Sequence, residues 1–384
     1  MPQMRTPVCD LVGAPHPLFG FSRSPGVVAA VTNAGGVGVL PAHHYAPDEL
    51  DEVLTDLDRA VGDRRYGIDL VVPPMETEGT DHQQVIAEMK ARIPAESLDF
   101  VDRLLERHRV PTGYEPVESH GRLGPEEAAA GVNPSWVEPL LEVAFKHQIG
   151  LVANALGTPP PTLLDCCRDA GVPIAALVGS KKHALRQLEA GVDILVAQGT
   201  EAGGHTGTIA TMVLTPEIVD VAGYTPVLAA GGVASGRQMA AALALGAQGA
   251  WAGSVWLSSH EDITVDSVKR KFLAASAEDT VRSTTRTGKP ARQLRSAWHD
   301  AWEEPNAPRT IGLPLQLMLT SRAWERIDAA AEKGHEGALA LESFFIGQVV
   351  GSFSELRPAY DIARSIIEEC DAVLAYLGAR AARP

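Results

Sequence analysis

Short apolar runs alternate along this chain with longer stretches whose apolar positions recur at helical spacing. Leu18-Phe19-Gly20-Phe21 is the first run. Ser24 as cap and Pro25 in the first turn then open a helix that stops at Asn33-Ala34-Gly35-Gly36. Val37-Gly38-Val39-Leu40, an amphipathic helix over 47–61 and the run Tyr66 to Val72 continue the order strand, helix, strand. Between 73 and 133 the rhythm breaks into charged sequence dotted with Pro and Gly, with helical patches at 82–92 and 97–107. That is longer than a usual connection, so it reads as an insertion: a solvated cover, a lid over the site or an oligomer contact. The alternation then returns with helices at 134–147, 160–170, 181–190, 216–222 and 235–245, and runs at 150–154, 173–178, 193–197, 226–230 and 249–253. Strands beginning near residues 18, 37, 67, 150, 173, 193, 226 and 249 predict an α/β fold, a (β/α)8 TIM barrel over 6–260 interrupted by the insertion at 73–133. Residues 261–384 read as helical additions packed on the barrel, ending in a long helix over 360–377.

Composition narrows the class. Hydrophobic residues at 45% and charged residues at 21% describe an ordinary globular balance, and the length suffices for a large core. A formal charge of −15 disfavours nucleic acid and anionic membrane surfaces as partners. Cys9, Cys166, Cys167 and Cys370 lack metal-site spacing, so free thiols, no metal and a reducing, cytoplasmic setting are expected. Neither a signal pattern nor an apolar run long enough for a membrane span is seen.

In such a barrel the chemistry gathers at the carboxyl ends of the strands, with phosphate groups on the loops after strands seven and eight. Those loops carry Ala230-Gly231-Gly232 and Gly253-Ser254, small residues that let backbone N–H groups approach an anion. The helix starting near Ser235 is expected to turn its positive end toward the first of them. After strand six comes Gln198-Gly199-Thr200-Glu201-Ala202-Gly203-Gly204-His205-Thr206-Gly207, in which His205 is the side chain able to move a proton near neutral pH. A phosphate-anchored ring cofactor would lie across the mouth with its reactive edge near His205. Phe21 and Ser22 after strand one, Asp69 in strand three, Asn154 after strand four and Gln198 are candidates for contacts to it, each weighed against a structural role. His43, His44 and His183 read as solvent-facing or capping.

The His205 loop, with Pro226 to Gly232 downstream, resembles the nitronate monooxygenase family, formerly the 2-nitropropane dioxygenases. Ala29-Ala30-Val31-Thr32-Asn33-Ala34-Gly35-Gly36 and the stretch Met239 to Ala247 strengthen the likeness, which covers about 6 to 260 outside the insertion. The resemblance implies FMN with its phosphate on Gly231, Gly232, Gly253 and Ser254, ring contacts from the Gly203-Gly204 backbone, and His205 facing the substrate. It implies oxidation of alkyl nitronates with molecular oxygen to a carbonyl compound and nitrite, the histidine orienting the nitro group or serving as base for neutral nitroalkanes. The chain departs from the family at Phe21-Ser22-Arg23, where Ala-Pro-Met is common, at Asp69, where asparagine is typical, and at Leu177, where some members carry lysine. The alternatives are an NAD(P)H-dependent flavin reductase or dehydrogenase of the same fold, acting on an enoyl thioester, quinone or polyketide-like substrate, and a flavin-binding module without catalysis. The carboxyl-terminal additions offer surface for a homodimer.

Overall fold

The computed structural model describes residues 4–70, 82–113 and 137–381. Eight parallel strands close into a barrel: β1 (Leu18–Phe21), β2 (Val37–Pro41), β3 (Tyr66–Leu70), β4 (Ile149–Asn154), β5 (Ile174–Val178), β6 (Ile194–Gln198), β8 (Val227–Ala230) and β9 (Gly249–Ala252). Closure comes from β9 lying beside β1, with Phe19 opposite Trp251. A two-residue strand β7 (Gly204–His205) lies outside the barrel in the loop after β6. The expected (β/α)8 barrel is therefore present. Strand three was expected to run to Val72, but 71 and 72 fall outside the described residues.

The period-two alternation of each strand sorts its side chains into two cores. Phe19, Val37, Val39, Leu151, Ala153, Ala175, Ile194, Val196, Leu228, Ala230 and Trp251 fill the interior. Trp251 stacks on Phe19 at 6.1 Å and on Phe21 at 6.4 Å, so three large rings on one side face small alanines on the other. Residues of opposite parity, such as Ile68, Leu70, Val152 and Leu195, meet Leu50, Leu54 and Leu57 of the helix Pro47–Val61 in the surrounding layer. Gly38 has to be glycine: a Cβ there would stand 2.2 Å from the carbonyl oxygen of Val28 in the helix Pro25–Asn33.

Two helices differ in extent from the sequence reading. The helix expected at 216–222 runs Thr211–Ala222 with Pro216 inside it, because the Glu201 carboxylate receives the Thr211 N–H at 2.9 Å. The terminal helix is longer than expected, Ala359–Ala381. It crosses the helix Gly236–Ala244 so closely that a Cβ on Gly236 would stand 2.3 Å from the Cys370 nitrogen.

The carboxyl-terminal segment is not helical throughout. Residues Thr280–Ser283 (β10) and Ala291–Leu294 (β11) form an antiparallel pair, and β11 also pairs with β7. Past it, the helices Ala297–Trp302, Leu315–Glu332 and Glu336–Leu341 meet the insertion helix Ala95–Arg107 around Phe100, Leu104, Trp298, Trp302 and Trp324. Arg107 pairs with Glu304 at 2.5 Å across that contact. The insertion's described part is thus one wall of a cap built with the carboxyl-terminal helices. Among the described residues no helix is long and apolar enough to cross a membrane.

Candidate active site

The loop after β6 is fixed from three directions. Glu201 bonds the Thr211 N–H and hydroxyl, and the Thr211 hydroxyl lies 3.1 and 3.0 Å from the Ala230 and Gly231 carbonyls. A Cβ on Gly199 would meet Thr211 Oγ1 at 2.0 Å, so this tie requires glycine. On the far side, Arg292 Nε donates to the Thr200 carbonyl at 2.8 Å and Arg282 Nη2 to that of Thr206 at 2.9 Å. Between them, Gly203 and Gly347 come together: the Gln348 N–H bonds the Glu201 carbonyl, and the Gly347 N–H bonds Ser254 Oγ at 2.8 Å. The candidate histidine is therefore carried on a braced strand rather than a free loop.

His205 pairs with Ala291 through the backbone, and its Nε2 lies 2.9 Å from Thr287 Oγ1. Thr287 gives its one hydroxyl hydrogen to the Lys289 carbonyl at 3.1 Å. Its oxygen therefore receives the His205 Nε2–H, which leaves Nδ1 as an acceptor. Burial, with the nearby Lys289 ammonium as second cause, pushes the imidazole down to about 4. Lys289 itself is half-buried, burial lowers its pKa, and its ammonium has neither a hydrogen bond nor an ion pair among the described residues. The Phe345 ring lies 6.3 Å from that of His205. Thr287, Lys289 and Phe345 come from the carboxyl-terminal segment, and no local motif marked them.

At the mouth, Gly231 and Gly232 hold φ at 95° and 75°, in the left-handed region. Space is open where a Cβ of Gly204 or Gly253 would stand, and a Cβ of Gly232 would meet only Glu201 Cβ at 3.7 Å. These glycines and Ser254 form a cradle of small groups between the loops after β6, β8 and β9, and it fits a phosphate-bearing group. The helix dipole expected to assist is committed elsewhere. Glu369 of the terminal helix accepts from Gly236 N–H at 2.7 Å, and Ser235 and Gln238 cap the remaining turn.

The other candidates separate by strand parity. Phe21, Asp69, Gln198 and Ala230 lie on inward-facing rows at the carboxyl ends of their strands. Asn154 shares the outward parity of Val152, and its amide donates to the Gly157 carbonyl at 3.1 Å, so it secures the turn after β4. The Ser22 hydroxyl receives the Ser24 N–H at 3.1 Å and lies 3.5 Å from Asp262. That is a turn bond rather than a free contact. His43 is not solvent-facing. Its ring lies 4.3 Å from that of His44, its Nδ1 is enclosed without a partner, and burial pushes it down to about 4 against the raising effect of a hydrogen bond with the Asp69 backbone. No group of residues able to hold a metal is found among the described residues.

The model of the nitronate monooxygenase family matches residues 12–369. A Mycobacterium tuberculosis protein named "Putative monooxygenase Rv1533" is 48% identical over 370 residues, covering 95% of this chain and 96% of that protein. From the same organism, (3aS,4S,5R,7aS)-5-hydroxy-7a-methyl-1-oxo-octahydro-1H-indene-4-carboxyl-CoA dehydrogenase is 28% identical, covering 82% of this chain and 73% of its own length. Among solved structures, nitroalkane oxidase from Streptomyces ansochromogenes superposes with a TM-score of 0.73 at 25% identity, covering 96% of this chain and 99% of its own. The closed barrel agrees with these likenesses, and the chain belongs to the nitronate monooxygenase family of flavin-dependent oxidoreductases.

Proposed function

We propose that this protein binds FMN at the barrel mouth and oxidises alkyl nitronates, with molecular oxygen as the final acceptor. The observation that carries the reading is the placement of His205: Nε2 held 2.9 Å from Thr287 Oγ1, whose hydroxyl is turned to the Lys289 carbonyl, so that Nδ1 is left as an acceptor near Lys289. Gly204, Gly232, Gly253 and Ser254 would hold the phosphate end, where a Cβ would fill the cradle. Gln198, Ala230 and Phe21 would line the ring side from their inward-facing rows. When bound, the flavin supplies the electron acceptance that nitronate oxidation requires.

The protein's own groups do the rest. Lys289 offers a partly desolvated positive charge to an anionic nitronate, which restores the ion pairing that burial has denied it. With a neutral nitroalkane, His205 Nδ1 takes the α-proton, and the imidazole stays in its base form through neutral pH because burial opposes its charging. A reductase adding hydride to an enoyl thioester needs a proton donor at the substrate, and the Thr287 bond withholds the donor nitrogen of His205 for that task. The CoA-thioester dehydrogenase among the relatives keeps a thioester reaction as the second reading. Anaerobic mixing of the FMN-loaded protein with propionate 3-nitronate, and separately with NADPH, distinguishes them. The nitronate alone is expected to bleach the visible flavin band. Bleaching by NADPH alone would transfer the assignment to the reductase, and bleaching by neither would remove both.

A further inference from the structure

Asp69 occupies an unusual place for a carboxylate. In β3, Tyr66, Ile68 and Leu70 face the outer helix layer, Tyr66 through a 2.9 Å bond to Asp58. Alternation therefore turns Asp69 toward the barrel axis, in register with Pro41 of β2 and Ala153 of β4. It is 2% exposed, no hydrogen bond reaches its carboxyl among the described residues, and Oδ1 is wholly enclosed. The interior around it is built from Phe21, Ala153, Leu177 and other apolar side chains.

The charged and titratable groups nearby do not compensate an anion. His43, beside the Asp69 backbone, is itself held neutral by burial. Burial alone raises the Asp69 carboxyl well above its ordinary range, with no charged partner contributing. An ion in such a site neutralises rather than remaining charged and unpaired.

We infer that Asp69 is an uncharged carboxylic acid in the folded protein, and that it donates its hydrogen to an acceptor atom of the cofactor ring seated at the barrel mouth. The donor half of this inference rests on the FMN reading above; the uncharged state does not. It accounts for a carboxyl where asparagine would also serve: both are neutral donors, but only the acid loses its hydrogen, and gains a charge, as pH rises.

Two measurements on the full chain test it. The first is infrared difference spectroscopy of the apoprotein at about pH 7 against Asp69→Asn, in which a carboxylic-acid C=O band is expected in wild type and absent from the variant. A carboxylate signal alone would overturn the proposal. The second is the FMN dissociation constant from fluorescence quenching between about pH 5 and pH 9. Asp69→Asn should bind within about threefold of wild type at neutral pH, and Asp69→Ala roughly three- to tenfold more weakly, the scale of one neutral hydrogen bond. Wild-type affinity should fall as pH rises and the acid ionises, while the asparagine variant stays flat. Equal, pH-independent binding by all three proteins would overturn the donor contact. Absence of any flavin binding, with the infrared band intact, would reject FMN and the donor contact together and leave the uncharged acid standing.

Discussion

At Gly253 the backbone holds φ at −124°, and no heavy atom lies within 4 Å of where a Cβ would stand. Gly231 differs: its φ of 95° resists any side chain, and Thr211 Oγ1 would lie 2.9 Å from the added carbon. Gly253→Val should therefore keep its far-ultraviolet dichroism and melting temperature yet fail to retain FMN on gel filtration, whereas Gly231→Val should lose stability as well. Stoichiometric flavin in folded Gly253→Val would count against the cradle. For His205, replacement by alanine should keep the flavin and lower turnover by about 10²- to 10⁴-fold, the usual share of a positioned base. Lys289→Met removes the second cause of the depressed imidazole, so the His205 pKa, followed by NMR, should move up from about 4 toward 6.5. An unmoved titration would show that burial acts alone. The sign for Asp69 runs the other way. A carboxyl raised on folding contributes nothing against stability below its ordinary value of 3.8, and destabilises progressively as pH climbs toward its folded value. Asp69→Asn should thus melt higher than wild type at neutral pH and like it near pH 4, as calorimetry would read. The glycine pairs and His205 stand out in the sequence as candidates because local spacing marks them. Thr287 and Lys289, some 80 residues away, carry no such mark, and the burial of His43 beside the Asp69 backbone of the next strand has no local signal either.

Elements were legible where their own residues decide them and not where a distant residue does. The barrel strands follow from apolar alternation and the punctuation between them, so their number and order could be read directly. The helix Thr211–Ala222 begins where Glu201 caps it, and the helix Gly236–Ala244 spends its amino-terminal N–H groups on Glu369, neither of which local pattern reveals. The β10–β11 pair is the largest such case. Its strands are short, but it places Thr287 against His205 through the turn in which the Gly288 N–H bonds the Thr284 carbonyl. Arg292 ties this pair to the loop after β6 through the Thr200 carbonyl and to β10 through Thr280 Oγ1 at 3.0 Å. Arg292→Met leaves the part-buried Thr200 carbonyl without this donor, a loss of about 1 kcal/mol, the net scale of one hydrogen bond. The expected outcome is a lower denaturation midpoint with an unchanged denaturant slope, and turnover reduced more than FMN affinity. Equal losses of both would mean that the pair supports the cradle rather than His205.

At the scale of the whole molecule, the insertion and the carboxyl-terminal helices share one apolar cluster, so two segments far apart in sequence form a single cap. Phe100 meets Trp302 edge-on at 4.8 Å, and Trp298 lies 4.7 Å from Trp324. Trp324 in turn carries the Arg286 guanidinium at 4.0 Å, and Arg286 also lies 5.2 Å from the Phe345 ring and bonds the Ser343 carbonyl at 2.7 Å. Arg286 precedes Thr287, so packing in the cap is connected by a short path to the bond that orients His205. Removing the Phe100 ring should cost about 3–5 kcal/mol of cap stability, the range for deleting a buried aromatic side chain. The interior barrel core, filled by other residues, loses no contact directly. Phe100→Ala should therefore unfold in two steps rather than one, the earlier step belonging to the cap. At temperatures between the steps the protein should retain FMN, held by the glycine cradle, while turnover falls as Thr287 is released from His205. Hydrogen exchange locates the loss: amides of 95–107 and 315–332 should exchange first in the variant, and those of β8 and β9 last. Simultaneous exchange in all four segments would show instead that cap and barrel form one cooperative unit, and that the insertion is part of the barrel's stability rather than a separately unfolding wall.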